Sequence, residues 1–231
     1  METAHQVMTM LITFDPDLFG IVGLSLRVSL AAVAFAALIG APLGAALAIW
    51  RFPGRRAILL ASSTLMGLPP VVVGLCVYLM LSRAGPLGEF GLLFTPTAMI
   101  AAQTILVAPI VTTLTHQAVR PLAADYADLL SSVGAGPRLR LTTLLWDARF
   151  AVATALLAGF GRAVAEVGAV LIVGGNINGH TRVMTTAIAM ETSKGALELA
   201  LSLGVVLLLL SLLVNAATLG LTAFGRRYET A

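Results

Sequence analysis

A helix that crosses a membrane takes about 20 mostly apolar residues. Five stretches of this 231-residue chain meet that length: residues 18–50, 57–81, 91–115, 150–174 and 197–224. Lipid offers no partner to a backbone N–H or C=O, so each stretch must satisfy its own, as a helix does. The expected fold is therefore all-α, an integral membrane helical bundle of about five transmembrane helices forming one domain over residues 1–231. Charge content agrees. Only 11% of residues are charged, against roughly 25% in soluble proteins. That excludes an ordinary soluble enzyme, a nucleic-acid-binding module and a disordered tail. No signal-peptide pattern opens the chain. Residues 8–14 are apolar but too short to span, and read as an interfacial helix followed by a turn at Asp15-Pro16-Asp17.

Orientation follows from where the cations fall. Arg51, Arg55, Arg56, Arg120, Arg138, Arg140, Arg149, Arg226 and Arg227 lie on one side, and Arg83, Arg182 and Lys194 on the other. The richer side is assigned to the cytoplasm, which puts the N-terminus outside and the C-terminus inside. Arg27 is expected near the outer end of the first span, and Arg162 lies within the fourth.

The cytoplasmic segment 116–149 is patterned for more than a link. Leu122, Tyr126, Leu129, Leu130 and Val133 recur at helical spacing and predict an amphipathic helix. Gly134 follows as a left-handed helix stop. Gly136-Pro137 permits a turn and lets Pro137 open a second helix, in which Arg138 and Arg140 are basic. Such a segment can lie on anionic lipid or project as a docking knob for a cytoplasmic partner. Asp125 and Asp128 favour the knob, because they would be repelled by anionic lipid.

Three spans have polar or broken centres. Arg162 and Glu166 are four residues apart in the fourth, so they share a helical face and can neutralise each other. A lone charge there costs roughly 2.5–3.5 kcal/mol on insertion scales, so lipid-facing placement is excluded. The pair either locks helices together or faces a water-filled route. Pro69 and Pro70 remove two backbone donors in the second span and predict a break around Gly67. Gln103 and Pro109 place a polar group and a helix breaker in the third. The outer segment carries Asn176, Asn178, Thr181, Arg182, Thr185 and Thr186, donors suited to a tetrahedral oxyanion. The same residues would also suit an ordinary solvated loop. The fifth span, Leu-rich, reads as peripheral packing. A single cysteine, Cys76, and the scattered His5, His116 and His180 form no metal-ligand motif.

The cytoplasmic segment resembles the loop of ATP-binding-cassette importer permeases, in which Glu-Ala-Ala, three residues and Gly occur in that order. Asp128-Leu129-Leu130-Ser131-Ser132-Val133-Gly134 keeps the spacing and the glycine; Asp128 stands for Glu, and Leu129 and Leu130 depart from the paired alanines. Over most of the chain, GLPPVVVGL, QTILVAPIV and FGRAVAEVGAVLIVGGNINGHTRVMTTAIAMETSKG look like the tungstate-type permeases of the molybdate/sulfate-like importer group. The resemblance implies an inner-membrane permease that works as a homodimer with two cytoplasmic ATPase subunits and an extracytoplasmic oxyanion-binding protein. ATP and Mg would belong to the ATPase, with no cofactor on this chain. Asp128, Leu129, Leu130, Ser131, Gly134 and Arg138 would couple to the ATPase. Gln103, Arg162, Glu166, Asn176, Thr181 and Arg182 are the candidates to line the pathway.

Tungstate is the expected substrate, with molybdate or sulfate as the alternative. An intramembrane enzyme is the competing class, but no Ser/His pair, paired aspartates or metal spacing occurs in the spans. A membrane scaffold would need neither buried charges nor a projecting loop. No GxxxxGK[ST] phosphate loop is present, so any ATP hydrolysis must come from another chain.

Overall fold

A computed structural model describes residues 15–229, an all-helical chain with no strand among the described residues. The apolar stretch 8–14 and His5 lie outside them. The first helix, α1, spans Pro16–Ile49. Asp15 begins it: its carboxylate accepts the N–H groups of Asp17 at 3.0 Å and Leu18 at 3.1 Å. Residues 15–17, expected as a free-standing turn, are thus a helix start, with Pro16 at the first position, where no N–H is needed.

The second stretch is two helices, α2 (Arg55–Met66) and α3 (Pro70–Leu81). They are bent by 104° at the expected place, Gly67 to Pro69. The third, α4, covers Pro96–Asp125 and runs unbroken through Pro109 and Pro121. Pro109 was expected to break it and does not. Its missing donor frees the Ile105 carbonyl, and membrane helices tolerate such a proline where neighbouring groups or small local adjustments take up the freed acceptor.

Next come α5 (Ala127–Ser132), α6 (Pro137–Asp147) and α7 (Arg149–Val164). The amphipathic helix expected through 122–133 is thus divided at Tyr126, between α4 and α5. After α7 come α8 (Gly168–Gly174), α9 (Met184–Lys194) and α10 (Leu197–Glu229). The expected fourth span is interrupted at residues 165–167. The outer segment is no simple solvated loop, because α9 buries Met184, Thr185, Thr186, Ala187 and Glu191. Three helices are long and apolar enough to cross a membrane, and up to five spans result if each of two bent pairs counts as one. Along α10, Leu208, Leu212 and Leu219 are about 70% exposed, as a lipid-facing helix requires.

The chain divides into two compact units. One gathers residues up to Ala32, Pro69–Gln103 and Gly161–Val214. Its short helices α3 and α8 touch backbone to backbone: a Cβ on Gly74 would stand 2.7 Å from the Ala169 Cα. The other unit contains Val33–Leu68, Thr104–Phe160 and the chain from Asn215. There Gly40 and Gly44 bring α1 against α4, and a Cβ on Gly44 would collide with the Thr112 carbonyl. Small residues four apart allow this close approach between helices in lipid.

Candidate functional site

Two places concentrate the chemistry, one in each unit. The first is the interruption between α7 and α8. Helix α7 closes with a tightened turn, the Glu166 N–H bonding to the Ala163 carbonyl at 3.2 Å. Ending a helix in mid-membrane frees carbonyls behind the break and N–H groups ahead of it. Side chains take up these groups. Gln103 Nε2 donates to the Ala163 carbonyl at 3.0 Å, and Thr185 Oγ1 donates to the Glu166 carbonyl at 2.7 Å. Glu166 Oε1 accepts the Ala169 N–H at 3.0 Å, capping the start of α8.

The other Glu166 oxygen meets Arg162 at 2.5 Å. The pair is asymmetric: the Glu166 side chain is 3% exposed and that of Arg162 35%. Glu166 is therefore fixed inside, while the guanidinium reaches the surface of this chain. Beside them a small cavity of about 10 Å³ is lined by Ser25, Ser29, Gln103, Glu166 and Thr185. The expected pairing of Arg162 with Glu166 is present, but the two residues flank the end of a helix and do not lie within a continuous one.

The residues after α8 are turned inward. Thr181 is fully buried; its hydroxyl donates to the Gly174 carbonyl at 2.5 Å and accepts the Ile177 N–H at 3.0 Å. Thr186 Oγ1 donates to Asn176 Oδ1 at 2.9 Å. Asn176 takes the left-handed conformation at φ 51°, which asparagine tolerates better than most residues. Arg182 Nη1 stands 3.6 Å from Glu191, whose carboxylate also meets Lys194 at 3.0 Å. Asn178 and His180 are exposed. Sequence reasoning missed Ser25, whose Oγ accepts the Met184 N–H at 2.8 Å and ties α1 to the start of α9. Its signal was present: Ser25 and Ser29 are four apart in an apolar helix and both are buried.

The second place is the turn after α5. Val133 ends the helix and Gly134 adopts φ 62°. The Ala135 N–H bonds to the Leu130 carbonyl at 2.9 Å and the Gly134 N–H to the Ser131 carbonyl at 3.1 Å. Leu130 and Ala135 are both buried in one cluster with Val119, Leu144 and Ala148. Two crossed hydrogen bonds, a left-handed glycine and an apolar contact across them form a Schellman stop. Arg140 binds the far side, donating to the Ala135 carbonyl at 3.0 Å and to Ser131 Oγ at 3.3 Å. At the other end of α5, a hydrogen bond to the Asp147 carboxylate holds the Tyr126 hydroxyl above its usual pKa. The turn thus anchors one side and exposes the other. Asp128 and Arg138 face out, and Leu129 and Val133 are 59% and 65% exposed.

A family model described as the binding-protein-dependent transport system inner membrane component matches residues 40–223. The chain belongs to this family. Relatives match over almost its whole length. A probable anion ABC transporter permease protein of Haloferax volcanii is 46% identical, covering 92% of this chain and 90% of its own. A tungstate uptake system permease protein, TupB, of Peptoclostridium acidaminophilum is 42% identical, covering 93% and 94%. A solved methionine ABC transporter, MetNI, in inward-facing conformations shares the fold at a TM-score of 0.71 and 17% identity, over 94% of this chain and 97% of that one. As a member of this family the chain is a transport-system component of the membrane and not itself an enzyme. The matched residues include both the α7–α8 interruption and the α5 turn.

Proposed function

We propose that the chain is the membrane-spanning permease subunit of an ATP-driven importer for a tetrahedral oxyanion, tungstate first. The observation that carries this reading is the similarity over 92–93% of the chain, at 42–46% identity, to a tungstate uptake permease and a probable anion permease. Two copies form the route, because about five spans with few polar centres are too few to enclose a solvated dianion. Two ATPase subunits bind ATP and Mg in the cytoplasm, and an extracytoplasmic protein delivers the anion. The N-terminus lies outside, on the arginine and lysine asymmetry.

Within this reading Asp128, Leu129, Leu130, Ser131, Gly134 and Arg138 form the coupling element: the exposed ones meet the ATPase and the buried ones hold the turn. Of the pathway candidates, Arg162 offers the guanidinium that reaches the surface, and Arg182 lies nearer the outer mouth. Glu166 and Thr181 spend their polar groups on the chain itself, as do Gln103 through Nε2 and Asn176 through Oδ1, and the four shape the wall. Such a route holds the anion weakly, which suits a permease that must release what an external protein has captured.

Proteoliposomes containing permease, ATPase and binding protein test the proposal. Tungstate should accumulate only with ATP on the ATPase side and binding protein on the other. Accumulation without the ATPase would reject it. A preference for molybdate or sulfate would keep the class and change the substrate. Cysteine labelling of intact cells checks the orientation: an impermeant reagent should reach a cysteine at Gly179 and miss one at Ser132.

A further inference from the structure

The strongest unassigned feature is a cleft where α1 gives way to α2. Helix α1 ends at Ile49, and the chain reverses through Gly54, at φ 88°, into Arg55. Arg55 folds back across the turn. Its Nε donates to the Leu47 carbonyl, one of the groups left over at the end of α1, and Nη2 stands 3.3 Å from His116 Nε2. Between this corner and the last turns of α4 lies a cleft of about 590 Å³. Arg51, Arg55 and Arg120 line it together with alanines, Ile49 and Pro121, and no carboxylate is among the lining residues. Arg51 and Arg120 are exposed, and neither takes part in the ion pairs found among the described residues.

Three guanidinium groups around one cleft repel one another, and nothing in its walls offsets them. An anion would. Guanidinium is a planar donor that suits phosphate oxygens in particular. The depth of the cleft indicates what carries the phosphate. Ala48 and Ile49, in its wall, are the last residues of an apolar 34-residue helix, so the cleft lies where hydrocarbon gives way to headgroups. Apolar side chains close by in sequence stay uncovered: Leu43, Phe52 and Ile58 are each 36–41% exposed.

We propose that this cleft is a phosphate-binding site filled by the headgroup of an anionic membrane lipid. Basic recesses among membrane helices bind such headgroups by this chemistry. The site is independent of the transported anion, and it would bind lipid whether or not the substrate assignment holds.

The test uses the full-length chain purified in neutral detergent, with thermal stability followed as lipid is titrated in. Phosphatidylglycerol should raise the unfolding temperature and phosphatidylethanolamine should not. Arg51→Gln with Arg120→Gln should weaken the apparent affinity for phosphatidylglycerol about thirtyfold, each basic residue near a membrane surface contributing roughly fivefold. Arg51→Lys with Arg120→Lys should retain most of it, which separates lost charge from a damaged fold. Arg83→Gln, in the other unit, should leave the titration unchanged. Equal responses to the two lipids, or a response the double glutamine variant does not alter, would overturn the proposal. Inorganic phosphate alone reproducing the full shift, with the same arginine dependence, would overturn the lipid assignment in favour of a soluble phosphate.

Discussion

The α7–α8 interruption and the α5 turn both stop a helix, yet they do so by opposite means. At the interruption, side chains hold the break: Gln103, Thr185 and Glu166 each take a backbone group that the break frees. At the turn, the backbone holds itself through two crossed hydrogen bonds, made possible by Gly134. The first place turns Gln103, Thr185 and Glu166 inward onto its own backbone and lets only Arg162 reach the surface. The second leaves Asp128, Leu129 and Val133 facing out. Gln103, Thr185 and Glu166 at the interruption are therefore structural before they are anything else, whereas at the turn Ser131 and Arg140 are bonded to the chain and Asp128 and Arg138 are left for a partner.

The interruption should be the more fragile. Arg162→Ala leaves the Glu166 carboxylate, 3% exposed, without its cation. Removing one partner of a buried pair costs about 3–5 kcal/mol, and the lower end applies because Arg162 is partly hydrated. Membrane abundance and thermal stability should both drop. Adding Glu166→Gln should restore much of the loss, because glutamine still accepts the Ala169 N–H and carries no charge. A double variant no better than the single one would show that the two residues act separately.

Gly134 sets the scale for the turn. A left-handed residue with a side chain costs roughly 1–2 kcal/mol, and a β-branched one is worse placed still. Gly134→Val should therefore reduce stability less than Arg162→Ala but abolish ATPase co-purification, with Gly134→Asn milder in both. Stability and co-purification falling in proportion across this series would mean the turn is only structural.

How much of this was legible depended on what marks each feature. Apolar length gave the spans, since 18–50 and 197–224 nearly coincide with α1 and α10. Paired prolines marked the 104° bend between α2 and α3. The α7–α8 interruption has no such mark. No proline lies at 165–167; the break depends on Gln103 and Thr185, remote in sequence, and periodicity cannot see them. Pro109 misled in the other direction, because a membrane helix tolerates a proline that local rules would make its end. Gly134 was legible as a left-handed stop, whereas the division at Tyr126 was hidden by continuous amphipathic spacing. Thr181 and Asn176 read as exposed donors because composition cannot tell a solvated hydroxyl from one bonded to its own backbone.

A smaller effect tests the join between α4 and α6. The Tyr126 hydroxyl is held above its usual pKa by the Asp147 carboxylate. A raised folded-state value means the contribution is fully present below the ordinary tyrosine pKa, near 10, and is lost as pH climbs through the raised value. Stability of the wild type should thus decline at strongly alkaline pH, where phenolate and carboxylate repel. Tyr126→Phe should flatten that part of the profile and cost little at neutral pH, because phenylalanine keeps the half-buried ring against the apolar cluster and loses only the hydroxyl contact. Matching alkaline profiles for the two proteins would show that the contact carries no energy.

The smallest effect on stability is expected where the largest effect on coupling is. Leu129 is 59% exposed and Asp128 sits on the open side of α5, so Leu129→Ser and Asp128→Asn should change stability by no more than about 0.5 kcal/mol, as exposed substitutions do. On a membrane helix an exposed leucine needs no explanation, since lipid covers it. On α5 it does, because Asp128 stands next to it and a carboxylate is poorly placed against anionic lipid. A protein surface accommodates both, the leucine in an apolar recess and the aspartate against a cation. The two variants should therefore insert normally, melt normally and lose ATPase co-purification and ATP-driven uptake together. Leu130→Ser, one residue on and 8% exposed, should instead fail at the level of the fold, since a core residue replaced by a polar one leaves both a cavity and a buried hydroxyl. Loss of abundance at Leu129 equal to that at Leu130 would place the exposed face of α5 inside the protein's own core, and the distinction between the holding residues and the meeting residues would fail with it.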